Sequence, residues 1–318
     1  MWELALVGVI LAPTDAALGQ QAFSNKRVPA LVRGGLGVES GLNDGLVLPF
    51  FVLALAAAGE GEGHPGVVVT FLRALLLSGA IGLAAGWAGA GVLRWSVARD
   101  WSTPAWRQFL TFAVPVITYA LCATVEGSGF IGAWVAGLAF GGRLRGASSG
   151  RVARAEGPGP TQSATFSERL GLLLASVSFL VFGAVILGPT LQHLTWRMVV
   201  YALISLTAVR MLPVALAMAD AGLRAASVAY VGWFGPRGLA SLVFGLLAFE
   251  EHLPGTTLLN GVIAVTVGLS VLLHGATAPF LGNRYGDWFA RTLRTEPGLR
   301  ENALSADNAP GIRGPHSP

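Results

Sequence analysis

Glu39-Ser40-Gly41-Leu42-Asn43-Asp44 decides how this chain is read, because it sets two carboxylates inside an apolar run, 36–58, long enough to cross a bilayer. On a helix, Ser40 and Asp44 stand four apart on one stripe and Glu39 and Asn43 on the next, so two adjoining polar stripes face the protein interior. An ionisable group in hydrocarbon is costly unless it is paired or hydrated, which makes each of these residues a functional candidate. Carboxylate, hydroxyl and carbonyl oxygens together suit a hard cation such as Na+.

Outward from this stretch the same pattern recurs. Of the 318 residues 53% are hydrophobic and 12% are charged, and the mean hydropathy is +0.62. A soluble domain is about a quarter charged, so a water-facing surface is excluded. Apolar segments near 2–21, 36–58, 66–93, 105–123, 127–142, 168–189, 196–219, 225–249 and 256–280 predict nine helices in an all-α polytopic membrane bundle. Glu3 stands where a signal peptide would be basic, so the first segment reads as a span.

The basic residues fall in alternate connections: Lys26, Arg27 and Arg33; Arg94, Arg99 and Arg107; Arg143, Arg145, Arg151, Arg154 and Arg169; Arg224; then Arg284 to Arg313. The opposite connections hold Glu60, Glu62, Glu250 and Glu251. That asymmetry predicts a multi-pass protein of the cell membrane with a cytoplasmic C-terminus, and it places the net charge of +4 in loops rather than on a nucleic-acid surface. Cys122 is the single cysteine, so it reads as a packing residue and not as part of a disulfide framework or thiolate cluster.

Two helices are interrupted. Pro13, in Ala12-Pro13-Thr14-Asp15, removes a backbone donor and clashes with the preceding turn, so the first must kink or unwind there, which frees carbonyls. Gly235-Pro236-Arg237-Gly238 breaks the eighth, which runs the opposite way. Paired breaks of this kind in inverted halves point to a transporter's midplane site. Asp44 is the expected ion or proton carrier, with burial against Arg237 as its structural alternative. Glu39 is expected to pair with Arg210, Glu126 to cap a short helix, and His274 to be a packing histidine rather than a pH sensor. The expected divisions are 1–142 for the ion-site helices, 143–167 for a Gly/Pro/Ser/Arg-rich cytoplasmic linker, 168–282 for the second repeat and 283–318 for a disordered cytoplasmic tail.

Taken in order, Ala12-Pro13-Thr14-Asp15, the run from Val28 to Asp44, Gly127-Ser128-Gly129-Phe130-Ile131, Arg210, Trp233-Phe234-Gly235-Pro236-Arg237-Gly238 and Leu272-Leu273-His274-Gly275 resemble the monovalent cation:proton antiporters of the NhaP type. The resemblance implies a fold of thirteen helices with inverted repeats and two broken crossing helices, nine of which match this chain. It implies a secondary transporter and not an enzyme, with no cofactor beyond the transported Na+ and H+. Asp44 would bind cation or proton in turn, Ser40 and the Thr14 carbonyl would add ligands beside Asp15, and Asn43 would bridge to Thr14. Pro13 and Arg237 would support the site, and Glu39 with Arg210 would form a structural ion pair. Asn in front of the Asp is similar to the electroneutral branch. The complete protein would be a homodimer in a lipid bilayer. K+/H+ exchange is the alternative, as is an inactive truncated fragment: four further helices are expected upstream of Met1, and this chain alone is expected to insert poorly and exchange nothing. A facing-aspartate protease is disfavoured because no Gly-x-Gly-Asp occurs.

Overall fold

Lipid offers the backbone no hydrogen-bond partners, so apolar segments of this length close their own bonds as helices. The computed structural model describes residues 2–59, 66–125, 127–148, 160–251, 256–296 and 298–303, and among these there are helices and no strand. They are α1 (Trp2–Ile10), α2 (Ala16–Ser24), α3 (Ala30–Gly59), α4 (Gly66–Ala98), α5 (Pro104–Thr124), α6 (Gly129–Ser148), α7 (Pro160–Val181), α8 (Gly188–Gln192), α9 (Trp196–Leu206), α10 (Ala208–Ala217), α11 (Ala225–Trp233), α12 (Leu239–Glu250) and α13 (Thr256–Thr295). A π-helical turn, Phe182–Leu187, joins α7 to α8. All nine expected segments are helical, and both expected breaks are present, between α1 and α2 and between α11 and α12.

The chain is an all-α polytopic membrane helix bundle. Among the described residues five helical stretches, Ala30–Leu55, Phe71–Ala98, Arg169–Gln192, Trp196–Ala217 and Leu258–Thr295, are long and apolar enough to span a membrane. Their outward side chains suit lipid: Leu76, Leu180 and Leu216 are each at least 70% exposed.

Several boundaries differ from those read in the sequence. α3 starts at Ala30, six residues before the apolar run, because Pro29 favours a helix start and the Arg33 side chain caps Val28 O at 3.0 Å. α6 and α7 each extend into the expected linker, while residues 149–159 lie outside the described residues, as does Glu126 with its expected capping role. The expected tail 283–318 is corrected at its start: α13 continues to Thr295, and Leu299 and Glu301 are buried. Arg284, Asp287 and Arg291 are exposed while Tyr285 is buried, so the helix leaves the apolar zone as an amphipathic one. Residues 304–318 lie outside the described residues.

The chain divides into two compact units, one of Met1–Val9 with Gly45–Leu180, the other of Ile10–Asp44 with the chain from Val181 onward. In the first, α4, α5 and α6 pack around Ala90, Leu93, Val114, Ala136 and Phe140. α4 and α6 touch through small residues: a Cβ at Gly82 or Gly86 would strike the α6 backbone at Gly132 or Ala136. Cys122 is fully buried against Gly132.

The second unit is built around Ala22, Val28, Val32, Leu36, Tyr230, Val231, Phe234, Ala278 and Tyr285. α11 lacks a capping side chain of its own at Arg224. Glu301 supplies it, accepting from Arg224 N at 2.9 Å and from Ser227 Oγ at 2.6 Å, and Ser227 Oγ also shares a hydrogen bond with the Tyr285 hydroxyl at 2.8 Å. The Arg224 side chain pairs with Glu296.

Candidate functional site

A broken helix exposes carbonyls at one side of the break and N–H groups at the other, and buried groups of either kind must find partners. Here each break supplies what the other lacks. Asp15 caps α2, its Oδ1 accepting from Ala17 N at 2.7 Å and Leu18 N at 3.1 Å. Its Oδ2 accepts from Leu239 N, the first residue of α12, at 2.8 Å. One carboxylate therefore faces two helix N-termini, the positive ends of both dipoles. In return Arg237 Nη1 donates to Ala12 O at 2.7 Å and Pro13 O at 3.4 Å, taking up carbonyls freed by Pro13. The backbones also meet, with Asp15 N donating to Pro236 O at 2.7 Å.

Both glycines of Gly235-Pro236-Arg237-Gly238 are needed for room. A Cβ at Gly238 would collide with the Asp15 carboxylate, and one at Gly235 with the Arg210 guanidinium. Neither has a positive φ, so close approach is the reason for glycine, not backbone conformation.

Next to this crossing, α3 presents its polar stripes. Asn43 Nδ2 donates to Thr14 Oγ1 at 2.6 Å, and Thr14 N donates to Asn43 Oδ1 at 3.3 Å, so one amide holds the unwound segment from two sides. Thr14 Oγ1 lies 3.1 Å from Ser40 Oγ, and both residues are buried. Asp44 follows one turn after Ser40. Its Oδ1 is buried and has no hydrogen-bond partner. Arg237 is not its counter-ion, since that guanidinium turns to the Ala12 and Pro13 carbonyls and no ion pair of Asp44 occurs among the described residues. Glu39, on the other stripe, is held by Arg210 of α10, with Nη2 donating to Oε2 at 2.8 Å. The pair is half-buried, with 10% of the Arg210 side chain and 29% of the Glu39 side chain accessible.

Thr14, Asp15, Ser40, Asn43 and Asp44 thus come together, with Pro13 and Arg237 at the same crossing. Asp15 differs from the others of the expected ion-binding set, because both its oxygens are engaged by backbone N–H groups. Sequence reasoning leaves three residues on α13 unassigned or gives them packing alone. Ser270 Oγ accepts from Arg237 N at 2.7 Å, His274 Nε2 donates to Trp233 O at 2.9 Å, and Thr277 Oγ1 accepts from Trp233 Nε1 at 3.0 Å. Ser270, His274 and Thr277 are spaced i, i+4, i+7, a polar stripe on an apolar helix that marks the face turned to the second break. Among the described residues no cluster of three or more His, Cys, Asp or Glu could hold a metal ion.

The sequence model of the family described as "Sodium/hydrogen exchanger, transmembrane" matches residues 2–284. A K(+)/H(+) antiporter NhaP from Alkalimonas amylolytica is 25% identical over 275 residues, 85% of this chain and 45% of that protein. The chain therefore spans less than half the length of this relative.

Proposed function

Because this chain belongs to the sodium/hydrogen exchanger family, we propose that it exchanges a monovalent cation for H+ across a membrane, with Asp44 holding cation and proton in turn. Support comes from Asp44 Oδ1, which is buried with no hydrogen-bond partner, one turn from the paired hydroxyls of Ser40 and Thr14. A buried carboxylate oxygen without a donor bears the full cost of its lost hydration, and a bound cation or proton removes that cost. One group cannot hold both, so competition couples the two flows.

Ser40 and Thr14 would supply the further oxygen ligands, and Asn43 would fix Thr14 in place. A neutral Asn before Asp44 leaves one free carboxylate on these stripes, which suits one cation for one proton. Asp15 and Arg237 would keep the two breaks closed on each other while leaving Asp44 unpaired. Na+ is the first choice for the cation. K+ is the second, favoured by the name of the Alkalimonas relative, a K(+)/H(+) antiporter.

The test is proton flux driven by Na+, Li+ or K+ in vesicles containing the complete gene product. Saturable flux with at least one cation, lost in a correctly folded Asp44→Asn protein, is expected. Undiminished flux in Asp44→Asn would overturn the role of Asp44, and an absence of flux with all three cations would overturn the exchange itself.

A further inference from the structure

α11 and the end of α13 flank an open cavity of about 910 Å³. Its floor is aromatic, formed by Tyr230, Trp233 and Phe234 of α11 with Tyr285 and Trp288 of α13. Tyr230 and Tyr285 stack at 4.5 Å between ring centroids, and Tyr285 and Trp288 at 5.4 Å. The Ser227 and Tyr285 hydroxyls bond to each other at 2.8 Å, so this wall is held in place by its own contacts.

The rim is basic. Arg284, Trp288 and Arg291 stand at i, i+4 and i+7 on α13, one stripe of that helix. Asp287 is the one acid among the lining residues, and Arg27 already pairs with it at 3.3 Å. Arg284 and Arg291 are exposed, and neither takes part in an ion pair or hydrogen bond among the described residues. Among the described lining residues the uncompensated charge is therefore positive.

Position along the helix sets the medium. Phe280, also in the lining, is 64% exposed, as a lipid-facing side chain of a spanning helix is. Arg284 follows one turn later and Arg291 three turns later, with Trp288 between them, the pattern of a membrane–water boundary. One end of the cavity thus opens at the level of acyl chains and the other at the level of headgroups.

We propose that this cavity binds an anionic phospholipid, its headgroup phosphate held by Arg284 and Arg291 and an acyl chain laid along Phe280 and Leu281. Guanidinium forks match phosphate oxygens, and basic clefts between helices at this depth favour anionic headgroups. A zwitterionic lipid would bring its own cation against the two arginines. A free phosphate would leave the aromatic floor uncovered.

The full chain, purified in detergent, is titrated separately with phosphatidylglycerol, phosphatidylcholine and sn-glycerol 3-phosphate while bound molecules are counted by native mass spectrometry and the melting midpoint is followed. Phosphatidylglycerol is expected to bind and raise the midpoint, and the other two to bind at least tenfold more weakly. The paired change Arg284→Gln and Arg291→Gln weakens phosphatidylglycerol binding tenfold or more, and Ala229→Trp, which fills the cavity and keeps both charges, does the same. Arg73→Gln with Arg94→Gln, two exposed arginines of α4, leaves binding unchanged. Equal binding of phosphatidylcholine overturns the proposal, as does an equal response to glycerol phosphate, which would make this a free-phosphate site. Wild-type phosphatidylglycerol binding by both cavity variants also overturns it.

Discussion

Asp15→Asn keeps the size of the side chain and removes one acceptor. Asp15 accepts three N–H groups, two at the start of α2 through Oδ1 and one at the start of α12 through Oδ2. An amide has one oxygen, so the substituted side chain can serve one helix end and must turn a donor toward the other. The loss is at least one charge-assisted hydrogen bond, about 1.5–3 kcal/mol, together with the attraction of a full negative charge for two helix N-termini, about 0.3–1 kcal/mol each. A total near 3 kcal/mol follows, which on a scale of about 2–4 °C per kcal/mol lowers the melting midpoint by roughly 6–12 °C. The assay is thermal unfolding of the purified chain in detergent, run without and with added Na+. Asp15→Ala, which cannot cap either end, should fall further. If Asp15 is instead a cation ligand, its replacement relieves repulsion with Asp44, so the midpoint without Na+ holds or rises while stabilisation by Na+ disappears. That pattern would refute the capping assignment.

Glu39→Gln and Arg210→Met should each cost about 2–4 kcal/mol, toward the lower side of a fully buried pair because part of Glu39 meets solvent, and the double variant should cost less than the sum; strictly additive losses in a double-mutant cycle would show no coupling. Gly238→Ala should lower the melting midpoint sharply, since its Cβ enters the Asp15 carboxylate, whereas Gly37→Ala, with open space at its Cβ, should stay within about 1 kcal/mol of wild type. Burial by itself would raise the Glu301 carboxyl, but the Ser227 hydroxyl, backbone N–H groups including that of Arg224, and the Arg224 charge hold it below the ordinary value of 4.5. A lowered carboxyl contributes stability that is full above 4.5 and is lost as pH falls toward the native value, so hydrogen exchange at 298–303 and at the start of α11 should accelerate only in that acid range. Glu301→Gln should remove the pH dependence, and an unchanged acid profile in that variant would count against the latch.

Much of the fold could be read from the sequence because lipid makes apolar length a nearly sufficient signal, and Pro13 and Pro236 mark their breaks by chemistry alone. The ends of helices were harder. Arg33 and Arg284 look like loop residues, yet both lie on helices that extend past the apolar zone, where charge no longer opposes helix. At the site, the four-residue spacing of Ser40 and Asp44 and of Glu39 and Asn43 was visible, whereas the partner of each was not. Whether Asp15 binds an ion or caps a helix depends on Leu239, 224 residues away. Nothing near Glu301 hints that it caps α11, for its partners Arg224 and Ser227 carry no local pattern. Ser270 and Thr277 did carry a signal, their spacing with His274, which becomes informative once the second break is known to face α13.

The short helix α11 is pinned to one neighbour at both ends. At its start Glu301, just beyond α13, holds Arg224 and Ser227; at its finish His274 and Thr277, within α13, hold Trp233. Nine residues of helix are roughly 13 Å long, so α11 is a strut clamped to a longer beam and cannot swivel about its own axis without breaking one clamp. The half-helix leading to Gly235 and Pro236 is therefore mechanically part of α13, and whatever displaces that beam carries one side of the crossing with it.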